Sequence, residues 1–295
     1  MAERQLYLGA LTDNRRWDMV TIRPDDVIVV TPPKCGTTWM QTIIALLLSG
    51  DAEVETELSV KMPWVDIRIR EMAEVAARLD AMTQRRCMKS HTPMDGVPFD
   101  DHAQYICVFR HPLDAHFSFR NHVRNIPMPW FDHWYPEDDM TGTAFRRFLD
   151  GGPEGFDTDA MPLAHILRHY RTAKALSAHP NVSLFHYADM KNDLAGTFES
   201  VAGLLGISHS QSLMETLINA ASFDQMRAHA DRYAPSGGKG FFKSDTAFFR
   251  GGTNGQWQDK LTDAELAAYD AMMDAHLISA DRAWLENGSG RLKKG

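Results

Sequence analysis

Cysteine is scarce in this chain: Cys35, Cys87 and Cys107 are the only three among 295 residues. The number is odd, and two of the three sit in apolar, strand-like runs. That excludes a disulfide framework and suits a reducing compartment. No apolar run approaches the roughly 20 residues needed to span a bilayer. Residues Met1 to Gln5 lack the apolar stretch of a signal peptide, so the expected location is cytoplasmic. A basic excess is also missing. Lys and Arg total 31 against 39 Asp and Glu, a net charge of −8. General nucleic-acid binding is therefore not expected, and an anionic ligand would have to be met by local basic residues. Internal repeats, heptads and a convincing domain boundary are absent. The expectation is a single domain over 1–295 with a frayed tail at 288–295. Histidines are plentiful, but no carboxylate spacing completes a metal-ligand set with them. His111, His116, His122, His133, His165 and His169 are read as packing or surface residues, and no metal is expected.

What remains is an ordinary globular composition, 44% hydrophobic and 24% charged. Four short apolar runs read as buried strands: Asp26–Val30, Arg86–Lys89, Gln104–Phe109 and Val182–Tyr187. Helical patterns follow three of them, at Thr37–Leu48, Leu113–Val123 and Asp189–Leu205, the last breakable in two. The alternation predicts an α/β fold with a P-loop-like, mostly parallel central β-sheet flanked by helices on both faces. Ligands of such sheets bind at the carboxyl ends of the strands. The loops at 31–39, 89–93 and 110–118 all follow strands and should gather on one edge.

The first of these loops is Thr31-Pro32-Pro33-Lys34-Cys35-Gly36-Thr37-Thr38-Trp39. Strand, tight loop with Lys and Gly, two hydroxyls and a helix form a phosphate cradle, in which loop amides and the helix N-terminus meet an anion. It is not a Walker A loop, because the lysine precedes the glycine and two prolines replace the first glycine. Taken alone it also reads as a plain turn with Thr37 as N-cap. Three further clusters bear on it. Lys89-Ser90-His91 ends a strand and offers a general base beside a cation. Arg110 ends a strand and Ser118 lies two turns into the next helix, with an Arg110–Asp114 surface pair as the plain alternative. Arg250-Gly251-Gly252 can wrap a phosphate with side chain and amides together.

Taken in order, these residues resemble the cytosolic sulfotransferase family, which uses 3′-phosphoadenosine-5′-phosphosulfate (PAPS). The resemblance runs from about Asp26 to Thr262. It implies PAPS as co-substrate, PAP as product and no metal. Lys34, Cys35, Gly36, Thr37 and Thr38 would hold the 5′-phosphosulfate, with Trp39 on the adenine. Arg110, Ser118, Arg250, Gly251 and Gly252 match the family's 3′-phosphate site. Tyr187, Ser222 and Phe223 would lie near the adenine. His91 falls on the catalytic base, with Lys89 and Lys34 as charge stabilisers and Ser118 holding Lys34 until acceptor arrives. Three departures stand out: Gly251 replaces a lysine, Ala221 a threonine, and the family's dimer motif is not recognisable around Gln258–Ala267. A homodimer is therefore left open.

The expected partner is a small hydrophobic acceptor bearing an alcohol or phenol. Trp64, Trp130, Phe131, Trp134, Tyr135, Phe241 and Phe242 are candidate pocket rings, at even odds with core packing, and loops 125–143 and 230–246 are expected lids. The competing readings are a small-molecule kinase of P-loop type and a nucleotide-binding module without catalysis.

Overall fold

The structure is a computed structural model, and it describes residues 4–53, 57–127, 141–151, 158–235, 241–249 and 252–288. Four strands form one parallel sheet in the order β2-β1-β3-β4: β1 Val27–Val30, β2 Cys87–Ser90, β3 Gln104–Phe109 and β4 Val182–His186. Val29 registers with Lys89 on one side and with Ile106 on the other. All four residues of β1 and of β2 are buried, as a strand covered on both faces requires, which is why β1 reads as an unbroken Val-Ile-Val-Val run. The edge at β2 is covered by residues 63–65: Lys89 N–H donates to Pro63 O at 3.0 Å and Val65 N–H to Lys89 O at 3.1 Å.

After β1 the chain runs to one side, into β2; after β3 it runs to the other, into β4. The loops leaving β1 and β3 therefore diverge, and the crevice between them lies at the carboxyl ends of the central strands. The helix after β1, Thr37–Ser49, buries Met40, Ile43, Ile44, Leu46 and Leu47, and Gly50 ends it in the left-handed conformation. The helix after β3 spans Pro112–Arg124, with proline in its first turn and the His111 side chain accepting from Leu113 N–H.

The sequence-based boundaries shift by a residue or two, each for a local reason. Asp26 stays outside β1 because its carboxylate accepts from Arg23 N–H and pairs with Arg86. Tyr187 leaves β4 to start the helix Tyr187–Asn192, and Asp193 caps a separate helix, Leu194–Leu205, which splits the expected 189–205 stretch. Thr37 is the first helical residue and not the N-cap. Gly36 holds that position, with no side-chain cap. Of the expected lids, 128–140 and 236–240 lie outside the described residues, as does the tail from 289. Residues Ala230–Tyr233 form a helical turn.

At the opposite end of the sheet, Arg86 and Asp26 are both buried. Arg86 Nε donates to Asp26 Oδ1 at 2.8 Å, and its Nη2 donates to Asp26 Oδ2 at 2.5 Å and to Thr21 O at 2.7 Å. Removing one partner leaves the other charge buried alone. Asp26→Ala is therefore expected to lower unfolding free energy by about 3–5 kcal/mol, measured by urea denaturation; a loss below about 1 kcal/mol would show that the pair does not anchor the β1–β2 start.

Candidate active site

The loop leaving β1 turns on two residues in the left-handed region, Lys34 at φ 64° and Gly36 at φ 113°. A Cβ on Gly36 would stand 3.1 Å from Tyr187 Cδ2, so the position requires glycine on two counts. Because Gly36 provides no side-chain cap, the first amides of the Thr37–Ser49 helix keep their donors for a ligand. Thr31 Oγ1 and Thr37 Oγ1 meet at 2.5 Å across the base of the turn. Cys35 is turned into the core and burial pushes its thiol up to about 12, so it contributes backbone and not a nucleophile.

A cavity of about 330 Å³ opens over this loop, with Lys34, Lys89, His91, Arg110, Ser118 and His122 all on its wall. His91 is fixed from both sides of its backbone. Its Nδ1 lies 2.7 Å from Thr31 O, so Nδ1 carries the proton and Nε2 is left with a free lone pair. His169 Nε2 donates to His91 O at 2.9 Å, and the buried Asp66 accepts from Ser90 and Thr92 hydroxyls on either side. Trp64 packs edge-on against the imidazole at 4.6 Å. Burial first, and then the charge of Lys89, hold His91 well below the usual imidazole pKa; the ring is neutral at pH 7.

Of the four cations on the cavity wall, Arg70 lies 3.9 Å from the Glu57 carboxylate, and the other three form no ion pair with a carboxylate among the described residues. Each lies instead over an aromatic ring: Lys34 Nζ 4.0 Å from Phe248, Lys89 Nζ 4.6 Å from Trp64 and the Arg110 guanidinium 4.3 Å from Tyr187. Burial pushes Lys34 down to about 7, helped by Arg110 and Lys89, and pushes Lys89 down to about 8. Arg110 is buried and donates to Thr253 O at 2.8 Å, while its Nε has no partner among the described residues. Such a set suits a multiply charged anion.

Asp114 does not pair with Arg110. It is buried and accepts from Gly255 N–H at 2.9 Å and Gln256 N–H at 2.8 Å, tying the 252–256 loop to the helix after β3. Gly252, at φ 55°, lies so close to Phe223 that a Cβ would stand 2.8 Å from its ring. Trp39 packs edge-on to Tyr187 and donates to the backbone carbonyl of Ala221 at 2.9 Å. Ser222 caps the helix Phe223–Ala228, accepting from Gln225 N–H at 3.4 Å. Thr38 faces the cavity, and its carbonyl accepts from Thr42. Arg250, Gly251, Trp130, Phe131, Trp134, Tyr135 and His133 lie outside the described residues. Phe241 and Phe242 line the cavity, and so does Trp64.

The structure corrects the expectation that His122 is a packing or surface residue. It lines the cavity, and Lys34 Nζ reaches its Nδ1 at 3.5 Å. Ser118 faces the same cavity one turn earlier, but the hydrogen bond of Lys34 goes to His122. The i, i+4 spacing from Ser118 was the available signal. Among the described residues no cluster of metal-ligating side chains occurs, and no helix is long and apolar enough to cross a membrane.

Comparison with known proteins gives the family. Residues 24–281 match the sulfotransferase domain family, and the chain belongs to that family. It is 36% identical to a glycolipid sulfotransferase of Mycobacterium tuberculosis over 293 residues, covering 91% of this chain and 90% of the relative. It is 23% identical to human sulfotransferase 1E1 over 264 residues, covering 86% and 85%. In fold it is similar to the mouse sulfotransferase SULT7A1 in its crystal structure with PAP, with a TM-score of 0.73, 20% identity and 94% of each chain covered.

The Gly252 contact gives a direct test of the loop. Gly252→Ala combines a left-handed backbone with a ring clash and should cost about 1–3 kcal/mol, read by urea denaturation. Unchanged stability would mean that the loop does not pack on Phe223.

Proposed function

We propose that the protein transfers the sulfuryl group of PAPS to a hydroxyl of a hydrophobic acceptor, with His91 as general base. The observation that carries this reading is the set of three carboxylate-free cations grouped around a neutral histidine whose Nε2 is free. The donor site fits the nucleotide on three counts: uncapped amides at Thr37 and Thr38, an orphaned Arg110 Nε, and a Gly252 that leaves no room for a side chain beside Phe223. PAPS supplies the activated sulfuryl group and an anionic leaving group.

The remaining work falls to the chain. Gly36 and the first turn of the following helix hold the 5′ end, Lys34 offsets charge on the bridging oxygen, and Lys89 offsets charge on the sulfuryl oxygens. Arg110, with Ser118 and the 250–252 segment, takes the 3′-phosphate. Trp39, Tyr187 and Phe223 enclose the base. His91 Nε2 accepts the acceptor's hydroxyl proton as that oxygen forms its bond to sulfur, while Thr31 O keeps the imidazole in the right tautomer.

Apolar walls beyond His91, including Phe241, Phe242 and Phe248, suit a lipophilic acceptor. The mycobacterial relatives are named glycolipid sulfotransferases, so glycolipids lead the acceptor panel. We further propose that the chain works as one domain over 1–295, since the described core residues form one continuous cluster.

His91→Ala should lose about 10²–10⁴-fold in kcat while retaining PAP affinity in calorimetry; normal turnover would remove His91 from the role. The pH profile is a second test. Donor capture needs Lys34 and Lys89 charged, and their pKa values are pushed down to about 7 and about 8 in the free enzyme. Hence kcat/KM for PAPS should fall as pH rises above about 7. His91, held well below 6.5, should add no acid limb near that value. A profile that rises through pH 7 would reverse the assignment.

A further inference from the structure

Among the described residues the ammonium of Lys34 has two neighbours at close range, and both are neutral. His122 Nδ1 accepts from it at 3.5 Å, and the Phe248 ring lies 4.0 Å away. The two neighbours are themselves packed together, with His122 and Phe248 centroids 5.6 Å apart and Phe242 beside both. His122 rises from the helix that follows β3, and Phe248 comes from the 241–249 segment. The seat for Lys34 thus bridges two separate walls of the cavity.

Three further groups bear on this ammonium, and two of them repel it. Lys89 from β2 and Arg110 at the end of β3 both disfavour its charge, and the Cys35 thiol is buried and protonated. His91 is neutral. Among the described residues His122 is therefore the hydrogen-bond acceptor of this ammonium.

We propose that His122 is a positioning residue for sulfuryl transfer: it seats Lys34 by accepting from its ammonium, and so keeps the lysine both placed and protonated until the donor binds. This rests on the reading of the site as a PAPS site. Burial, followed by Lys34 and Lys89, holds His122 well below the usual imidazole value, so it carries no charge of its own near pH 7. Its effect must pass through Lys34.

The test compares His122→Leu, which removes the acceptor atom, with His122→Asn, whose Oδ1 can take the place of Nδ1. PAP affinity is measured by calorimetry from about pH 6 to about pH 9, with kcat and KM for PAPS at the same points. In the wild type, affinity falls as pH rises through the Lys34 transition. His122→Leu should move that midpoint down by about one pH unit, which is about tenfold in KM above it, and leave affinity near wild type at about pH 6. His122→Asn should restore the wild-type midpoint. Phe248→Leu removes the ring face from the same ammonium and should shift the midpoint in the same direction, which keeps the test decisive if His122→Leu does not fold. An unmoved midpoint in the leucine variants, or an equal loss of affinity at every pH, would overturn the proposal. A wild-type protein that binds no PAP at any pH would overturn the functional reading instead.

Discussion

The site depends on one electrostatic constraint: cations must be taken out of water without being neutralised. A carboxylate beside Lys34, Lys89 or Arg110 would satisfy the charge and close the site to an anionic ligand. The structure uses ring faces instead, one for each cation, at 4.0 to 4.6 Å. A ring quadrupole stabilises a desolvated cation by about 1–2 kcal/mol, enough to hold a side chain in place and too little to compete with a phosphate. The contrast with Arg86 is direct. At the other end of the same sheet, where no ligand is needed, the buried arginine has its aspartate at full hydrogen-bonding distance.

The carboxylates near the site are kept occupied by neutral donors. Asp114 takes the amides of Gly255 and Gln256, one on each oxygen, and Asp66 takes the hydroxyls of Ser90 and Thr92 on its Oδ2. Each therefore builds a loop of the site while staying out of ion pairs with its cations. The fold makes this possible because the loops after β1, β2 and β3 all end at one edge of a parallel sheet, and the strand order leaves the crevice between the first and third.

Much of this was legible from local chemistry. Val27–Val30 and Gln104–Phe109 read as buried strands because both faces are covered, and the Lys34–Gly36 turn read as an anion loop because its backbone demands are local. Boundaries slipped where a side chain captured a backbone group, as at Asp26 and Asp193. The places of Asp114 and His122 are hidden from the sequence for a different reason. Asp114 takes its partners some 141 positions away, and His122 takes an ammonium 88 positions away, so no window of sequence contains either contact. Cavity rings such as Trp64 and Phe242 reach one wall only through the fold, which is why the sequence alone does not separate pocket from core.

The same constraint couples the donor side of the cavity to the base. His91 is held down first by burial and then by the unpaired charge of Lys89, with Lys34 contributing. Under the proposed reading, an anionic donor pairs with both lysines and cancels their repulsion of a charged imidazole, while its burial is unchanged. His91 then becomes a stronger base in the presence of the nucleotide than in its absence. Its tautomer does not change, because Nδ1–H keeps donating to Thr31 O, at the root of the loop after β1. Under that reading one backbone carbonyl links the donor loop to the base, and His91 is most basic once the group to be transferred is in place.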